Sequence, residues 1–312
     1  MKKRELTGIE NRKNVSADIR KGYVDTLKKM VDCKTVFTDN FENQSEFDKF
    51  YKVIEECFPN LCEKAEMLTF GSGCFVYVIK GKNAKKNIML MSHHDVVDGD
   101  DKWETDPFDA VEKDSALFGR GTIDTKTPLF AELQACEELL KEGYEFDGIN
   151  LYIGSSNNEE VSGDGMVLAT EYFKENGIHF ETVLDEGGAV CTGVFPGVSK
   201  RAAIIGIAEK GMLDVEYRVK SNGGHASAPK PHTPVGTLSL ACCRVEAHPF
   251  KSHITKPAAE MLDTLGRHSN FVYKLIFSNL WLFSGVLDML CKKSGGELNA
   301  LLRTTVAFTQ MS

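Results

Sequence analysis

Four groups of acidic and histidine residues in this sequence have the types and spacing that chemistry at a metal ion requires. They are His93-His94-Asp95, Asp124 within GRGTIDTK, Glu159-Glu160 and Asp185-Glu186. Three of the four follow directly after predicted strands, and ligands collect at the carboxyl ends of the strands in an open α/β sheet. The groups are far apart in sequence, but successive strands of one sheet would bring them together.

The first group has an internal geometry that suits a metal-ligating histidine. His93 and Asp95 are two residues apart, so in an extended chain they point to the same side, whereas His94 points the other way. A carboxylate beside an imidazole ligand fixes its tautomer, and this is the role expected of Asp95. The simpler alternative is a solvated loop with a chance His-x-Asp spacing.

Each of the other groups also has an ordinary structural explanation. Asp124 lies on a glycine-bearing turn before a helix, where a lone aspartate is commonly a turn residue or a cap. Glu159 and Glu160 repel one another and are costly to bury without a cation, but a solvated acidic turn accounts for them equally well. Asp185 ends an apolar strand, where it could be a helix cap or a hydrogen-bonded core residue.

Taken together, the four groups favour a metal site. Histidine, aspartate and glutamate at successive strand ends are the ligand set of divalent metals such as zinc. Two such ions would polarise a carbonyl and activate a water, beside a free glutamate that serves as general base. The nine cysteines include no Cys-x-x-Cys pair, so any metal is expected to use histidine and carboxylate ligands.

The elements predicted to position these groups alternate along the first part of the chain. Helices are predicted near 21–30, 46–58, 127–143 and 166–175, and strands at 74–80, 87–92, 149–155 and 180–184. Thr127 is expected to cap the third of these helices, with Pro128 in its first turn. This alternation predicts an α/β domain with a mostly parallel mixed sheet over residues 1–204.

The pattern changes near residue 202. Strands are predicted at 202–208 and 212–220, followed by NGGHASAP and a helix at about 233–247. They indicate a second, smaller α+β domain over residues 205–312, with a sheet that has one solvated face. The apolar run 275–287 is shorter than the roughly 20 residues that span a bilayer, so a buried or partner-facing helix is expected there.

Composition excludes several classes of protein. The 312 residues carry 37 Lys and Arg against 45 Asp and Glu, with 42% hydrophobic residues, which is ordinary globular composition rather than that of a disordered chain. The net charge of −8 argues against nucleic acid as the main partner. The polar N-terminal stretch lacks the apolar core of a signal peptide, and the odd number of cysteines is typical of reduced residues. A cytoplasmic protein without a membrane partner is expected.

The sequence also resembles the M20 metallopeptidases, a family of aminoacylases, carboxypeptidases, dipeptidases and desuccinylases. The resemblance is carried, in the family's order and spacing, by SHHDVV, WETDPFDAVEKDSALFGRGTIDTK, NNEEVSGDG, VLDEGGAV, and GGHASAP followed by TPVG. Its details look like the carboxypeptidase S-like or Gly-Xaa carboxypeptidase branch. The resemblance implies a zinc-peptidase-like catalytic domain into which an α+β lid and dimerisation domain is inserted.

The resemblance implies a metal-binding role for four residues. His93 and Asp185 would hold one divalent ion, Glu160 would hold a second, and Asp124 would bridge the two. Zinc is the expected metal, with cobalt or manganese as alternatives. The family's second ion takes a further histidine near the end of a longer chain, which has no counterpart here, so residues 205–312 are expected to be an incomplete lid.

Three more residues are implied to take part in catalysis. Glu159 would be the general base, and Asp95 would orient His93. His225 in the lid would reach the active site of a partner subunit and stabilise the oxyanion, which implies a homodimer formed through the lid. Without the resemblance, His225 is most simply a turn residue in a glycine-rich loop.

The expected function is metal-dependent hydrolysis of an amide bond in small peptides or N-acyl amino acids, and it is expected to require sequence that lies beyond residue 312. The alternative is a non-catalytic dimerising or binding protein with a vestigial metal site. A two-metal phosphoesterase would use similar ligands. It would also be expected to have more histidines at strand ends and a basic phosphate pocket, and neither is evident.

Overall fold

The computed structural model describes residues 15–311 apart from positions 41, 101, 196, 209 and 295. Most of the polar N-terminal stretch, for which no export signal is predicted, therefore lies outside the described residues. The chain divides into two compact units, Met1–Gly187 and Gly188–Ser312. This division precedes the predicted boundary at 204/205, and the extent of the predicted lid stays a prediction.

The first unit is built on a mixed β-sheet. Its strands are β1 (Glu66–Phe70), β2 (Cys74–Ile79), β3 (Lys82–His93), β4 (Val111–Lys113), β5 (Ala116–Phe118), β6 (Asp147–Ser156) and β7 (Phe180–Leu184). Its helices are α1 (Ala17–Val31), α2 (Gln44–Cys57), α3 (Pro59–Lys64), α4 (Lys126–Lys141) and α5 (Gly165–Glu175). The α/β class predicted from the alternating elements is confirmed.

The sheet has the strand order β1-β2-β6-β3-β7, and β4 and β5 form a separate hairpin. β3 runs parallel to both β6 and β7, whereas β2 is antiparallel to β1 and to β6. The parallel part of the sheet is therefore where the predicted site lies, and the antiparallel part extends it on one side. β1 was not among the predicted strands, because it has only five residues and its one pairing partner in the described chain is β2.

Helices cover both faces of the sheet, as the residues of β2 show. Phe75, Tyr77 and Ile79 pack in a core cluster that includes residues of α1 to α4, and Val76 and Val78 pack in a second cluster with α5. Because successive side chains of a strand point to opposite faces, a strand covered on both sides must be apolar throughout. This explains the unbroken apolar run of β2.

Helix α4 begins differently from the prediction. The residue before its first turn is Thr125, whose side chain makes no capping bond, so the prediction that Thr127 caps this helix is wrong. Thr127 instead donates its hydroxyl hydrogen to the carbonyl oxygen of Thr122. The difference arises because the preceding loop turns tightly enough for the Lys126 amide to reach the carbonyl oxygen of Gly121.

The second unit is mainly helical in its described residues. Its elements are β8 (Ala189–Cys191), β9 (Ala202–Ile204), α6 (Pro234–Ala247), α7 (Lys256–Arg267), α8 (Phe271–Phe277), α9 (Leu280–Ser294) and α10 (Gly296–Leu302). The helix predicted at about 233–247 is confirmed as α6, and Thr233 accepts a capping bond from the Gly236 amide. β8 and β9 pair as an antiparallel hairpin.

The predicted strands of the second unit are only partly present. The first is reduced to β9, and the described residues between 205 and 220 contain no strand, so the strand predicted at 212–220 is wrong for this structure. Alternating residues such as Leu213 and Val215 are exposed there. The alternation is typical of a strand, but a strand also needs a neighbour to satisfy its backbone groups, and none pairs with this segment in the described chain.

The apolar run 275–287 forms parts of α8 and α9 rather than one helix. Phe277 and Leu287 are buried against Leu262 in a small core of this unit. No single helix among the described residues is long and apolar enough to cross a membrane. By length and composition alone, α8 and residues 280–293 pass such a test only as a pair, and that pair is bent by 110°.

Replacing Ile153 of β6 with alanine should lower the free energy of unfolding of the first unit by about 2–5 kcal/mol, because truncating a buried side chain leaves a cavity. Ile153 is 0% exposed. The measurement is urea denaturation followed by the fluorescence of Trp103 in a Trp281→Phe background. Met67→Ala, at an exposed position of β1, is the control and should cost less than about 0.5 kcal/mol. Equal losses in the two variants would contradict the assignment of Ile153 to the core.

Candidate metal centre

His93 ends β3, the strand that lies between β6 and β7, and its side chain is buried. Its Nδ1 donates to the carbonyl oxygen of Asp95 at 2.8 Å and lies 3.4 Å from the Asp95 carboxylate. A hydrogen bond at Nδ1 leaves Nε2 to face a metal ion. The pairing of His93 with Asp95 expected from their spacing is therefore present, with the backbone oxygen as the nearer partner.

Three carboxylates surround Nε2 of His93. Asp124 Oδ1 lies at 3.0 Å, Glu186 Oε2 at 3.2 Å and Glu159 Oε2 at 3.7 Å. One ligand atom from each of His93, Asp124 and Glu186 lies within 4.8 Å of the others. These residues come from the ends of β3 and β7 and from the loop before α4, as expected for a site at the carboxyl edge of the parallel strands.

The charges of this cluster fit a divalent cation. Glu186 Oε2 is buried and has no hydrogen-bond partner. Burial raises the pKa of Glu159 and of Glu160; neighbouring carboxylates add to this rise, and the charge of His93 opposes it. Burial lowers the pKa of His93, but the hydrogen bond to Asp95 and the charge of Glu186 outweigh it and raise this pKa to about 10. One imidazolium cannot balance so many carboxylates, and a bound cation would.

Asp95 joins two parts of the site. Its buried carboxylate accepts hydrogen bonds from the backbone amides of Glu159 at 3.1 Å and Glu160 at 3.0 Å. These two residues begin a 3₁₀ turn, Glu159–Val161, that follows β6. Asp95 therefore holds the backbone of the paired glutamates as well as lying beside His93, a second task that the spacing of His93 and Asp95 alone does not indicate.

The paired glutamates occupy different positions around the cluster. Glu159 is exposed and brings its carboxylate close to His93. Glu160 is half-buried, and its carboxylate is not part of the group formed by His93, Asp124 and Glu186 among the described residues. The expectation that the two side chains diverge agrees with this arrangement, and the metal-binding role of Glu160 stays a prediction.

The end of β7 differs from the expectation. The structure puts Glu186, rather than Asp185, against His93. Asp185 is exposed, and its carboxylate accepts a hydrogen bond from the Glu186 amide. Neighbouring residues in extended chain point to opposite sides, so only one of the two can face His93. The assignment of Asp185 as a ligand stays a prediction, and the geometry favours Glu186.

His225 belongs to the second unit and is not part of the cluster around His93. It is exposed, and Ser227 contacts its Nδ1 through both the hydroxyl group, at 2.8 Å, and the backbone amide, at 3.3 Å. These contacts are those of a histidine in a turn. They leave Nε2 available, and the predicted contribution to catalysis stays a prediction.

Glu132 on α4 is a neighbour of the site that the motifs did not reveal. Its carboxylate accepts a hydrogen bond from Ser92 at 3.3 Å. Burial first, and then the charges of Asp185 and Glu186, raise its pKa to about 8. A sequence signal did exist, because residue 132 lies three positions after Leu129 and so falls on the buried side of the helix.

Comparison with known proteins agrees with this geometry. Residues 89–272 match the family described as peptidase family M20/M25/M40. The match covers more than half of the chain and contains the whole cluster around His93. This chain belongs to that family. The resemblance to M20 metallopeptidases inferred from the motifs is confirmed.

Individual relatives of this M20 chain cover most of it. It is 33% identical over 297 residues to the N-fatty-acyl-amino acid synthase/hydrolase PM20D1 of Xenopus tropicalis, covering 93% of this chain and 58% of that protein. It is 33% identical over 299 residues to the probable carboxypeptidase S-like 2 of Dictyostelium discoideum, covering 92% and 57%. The chain thus spans less than two thirds of these relatives' length. The solved structure of human carnosine dipeptidase 1 matches 55% of this chain and 40% of its own, with 17% identity and a TM-score of 0.48.

Isosteric substitutions in this M20 chain can decide which of the two acidic residues at the end of β7 binds the metal. Glu186→Gln should weaken Co²⁺ binding by about 10- to 100-fold, because it removes a charge that faces the cluster. Asp185→Asn is the matched comparison and should change the affinity only slightly. Calorimetric titration of the metal-free protein with Co²⁺ measures both. The reverse ranking would assign the position to Asp185, as the motifs imply.

Proposed function

We propose that this protein is a metal-dependent hydrolase of amide bonds in small peptides or N-acyl amino acids. The observation that carries the proposal is the cluster of His93, Asp124 and Glu186, with the carboxylate of Glu159 3.7 Å from the same imidazole nitrogen. A site that combines metal ligands with an accessible, unligated carboxylate can supply both a Lewis acid and a proton acceptor.

The ligand set supports zinc, with cobalt or manganese as alternatives, because imidazole and carboxylate together suit borderline divalent ions. His93, Asp124 and Glu186 would hold one ion. The resemblance supports a second ion, for which Asp124 would be the shared ligand and Glu160 a further one. A divalent ion held there would polarise the carbonyl of the bond to be cleaved and lower the pKa of an attacking water.

Glu159 is the residue best situated to move the proton. Its side chain is half exposed, so it is open to a water molecule on the solvent side of the cluster. It would accept a proton from the attacking water and then deliver it to the leaving amine nitrogen. Asp95 accepts a hydrogen bond from the backbone amide of Glu159 and so fixes the backbone from which the side chain of the base extends.

The relatives' names support the substrate class. One relative is named as a synthase and hydrolase of N-fatty-acyl amino acids, and another as a probable carboxypeptidase. Both descriptions refer to an amide bond next to a free carboxylate. We therefore propose that the substrates of this protein carry such a carboxylate.

We further propose a homodimer formed through residues 205–312, in which His225 serves the partner's site. The resemblance supports this assembly, and so do the exposed apolar side chains of the second unit, such as Met212 and Leu213. Size-exclusion chromatography with light scattering tests the assembly.

The cytoplasm is the proposed compartment, because the odd number of cysteines is typical of reduced residues.

Removal of metal should abolish hydrolysis of dipeptides and N-acyl amino acids, and Zn²⁺ or Co²⁺ should restore it. Glu159→Gln should retain Co²⁺ binding and lose about 10²- to 10⁴-fold in kcat, because it removes the proton acceptor but no ligand. Glu63→Gln, at an exposed position of α3, is the matched control. The assay uses the 312-residue chain and the longest reading frame that contains it.

Two results would contradict the proposal. Hydrolysis that survives exhaustive chelation would remove the metal from the mechanism, and a fully active Glu159→Gln variant would remove Glu159 as the base. Metal uptake without hydrolysis in both chains would favour the alternative of a binding protein with a vestigial site.

A further inference from the structure

A short segment formed by the last two residues of α1 and the four that follow makes hydrogen bonds with residues close to both facing ligands, His93 and Asp124. This segment, residues 30–35, is here called the brace. Four of its residues, Met30, Val31, Cys33 and Thr35, are 0% exposed. The brace, whose sequence is MVDCKT, contains none of the motifs that indicate the metal site. Its contacts nevertheless connect it to the loop of Asp124 and to the loop of His93.

Lys126 makes the connection to the loop of Asp124. Its side chain is 0% exposed, and its ammonium group donates to the carbonyl oxygens of Met30 at 3.0 Å and Cys33 at 2.7 Å. It also lies 5.3 Å from the centre of the Phe50 ring. A buried charge is costly unless it is compensated. Burial lowers the pKa of Lys126 to about 7, and the partial negative charge of carbonyl groups at the C-terminal end of a helix favours the protonated form.

Thr35 makes the connection to the loop of His93. Its hydroxyl group donates to the carbonyl oxygen of His94 at 2.5 Å. Its own carbonyl oxygen accepts a hydrogen bond from the Val96 amide at 3.0 Å. These two bonds enclose Asp95, the residue that contacts both His93 and the paired glutamates. The loop that follows β3 is therefore fixed to the brace immediately beyond the point where the strand ends.

The loop of Asp124 is bonded internally, from the Thr127 hydroxyl group to Thr122 and from the Lys126 amide to Gly121, but its ligand-bearing residues are exposed. The side chain of Asp124 is 69% exposed, and the neighbouring Ile123 is 87% exposed. Packing therefore does not fix this part of the loop, although Nε2 of His93 and Oδ1 of Asp124 lie only 3.0 Å apart. The buried side chains that follow Asp124 in sequence are those of Thr125 and Lys126.

We infer that Lys126 and Thr35 are positioning residues that fix the two ligand-bearing loops to one backbone segment and so set the distance between His93 and Asp124. The inference rests on the proposed function, because that distance matters only if the two side chains share a metal ion. Neither residue touches a substrate or the metal. Each acts through the loop to which it is bound.

The test compares Lys126→Met with the unsubstituted chain. Methionine has nearly the length of lysine but lacks the ammonium group, so the carbonyl oxygens of the brace lose their donor. Amide hydrogen exchange in residues 119–126 of the metal-free protein should become about tenfold faster or more, because hydrogen bonds from a charged group are lost. Co²⁺ affinity should fall by about 10- to 100-fold, and the visible spectrum of bound Co²⁺ should change.

The matched control is Lys64→Met. Lys64 also donates its ammonium group to a carbonyl oxygen in the last turn of a helix, Leu140 at 2.7 Å, but it lies on α3, outside the metal cluster. The Lys64→Met variant should leave both the amide hydrogen exchange of residues 119–126 and the Co²⁺ spectrum unchanged. If the substitutions only lower the free energy of unfolding, urea denaturation will show the loss in both variants and the Co²⁺ spectrum will not change.

Thr35→Val is the second variant and preserves the shape of the side chain. It should speed exchange in residues 94–96 and weaken Co²⁺ binding, whereas Thr170→Val, which removes a hydroxyl bond to Met166 on α5, should do neither. If Lys126→Met does not fold, Thr35→Val decides by the same two measurements. The inference is overturned if a folded Lys126→Met variant, or Thr35→Val in its place, keeps both the exchange rate and the Co²⁺ affinity of the unsubstituted chain.

The two proposals fail in different ways. An unsubstituted chain that takes up no Co²⁺ would contradict the proposed function. The exchange rates of the metal-free variants would still decide whether the brace holds the two loops. Conversely, if the unsubstituted chain is an active metalloenzyme and neither Lys126→Met nor Thr35→Val changes its Co²⁺ spectrum or its exchange rates, only the positioning role is contradicted.

Discussion

The surplus of negative charge around the imidazole of His93 is the constraint on which the site depends. Asp124, Glu159 and Glu186 all lie within 4.0 Å of its Nε2. Carboxylates at such distances repel one another, and at Glu186, the least exposed of the three, burial also removes water that would otherwise screen the charge. The fold must therefore hold these groups in place against their repulsion, and a bound cation converts that repulsion into attraction.

The sheet supplies only part of the force that holds them. Parallel pairing of β3 with β6 and β7 brings three strand ends to one edge, and this fixes where His93 begins to leave the sheet. Beyond the strand ends, buried polar side chains take over. The Asp95 carboxylate binds the backbone amides of the two glutamates that follow β6. The Lys126 ammonium binds the carbonyl groups of Met30 and Cys33 at the end of α1. In both cases a charge is buried among backbone dipoles of the opposite sign.

Much of the first unit could be predicted from the sequence, because its signals are local. The apolar runs of β2 and β6 and the buried stripe of α4 reflect burial that recurs at the period of the element. His93 and Glu159 could be assigned to one site because strand ends meet, whereas Asp124, in the loop before α4, could be assigned to it only through its motif. The strand at 212–220 could not be judged in this way, because alternation predicts a pleated surface but not the presence of a neighbouring strand to pair with it.

The choice between Asp185 and Glu186 shows a different limit of the sequence. Both residues follow the same strand, both are acidic, and a shift of one residue exchanges the side that faces His93. A motif fixes the order of residues but not the rotation of the chain as it leaves a sheet. Here the chain leaves β7 with the Glu186 amide bound to the Asp185 carboxylate and with the Glu186 carboxylate against His93. The positions of the ligands in this fold therefore depend partly on residues such as Asp95, Lys126 and Thr35, whose side chains bind backbone groups rather than the ligand atoms.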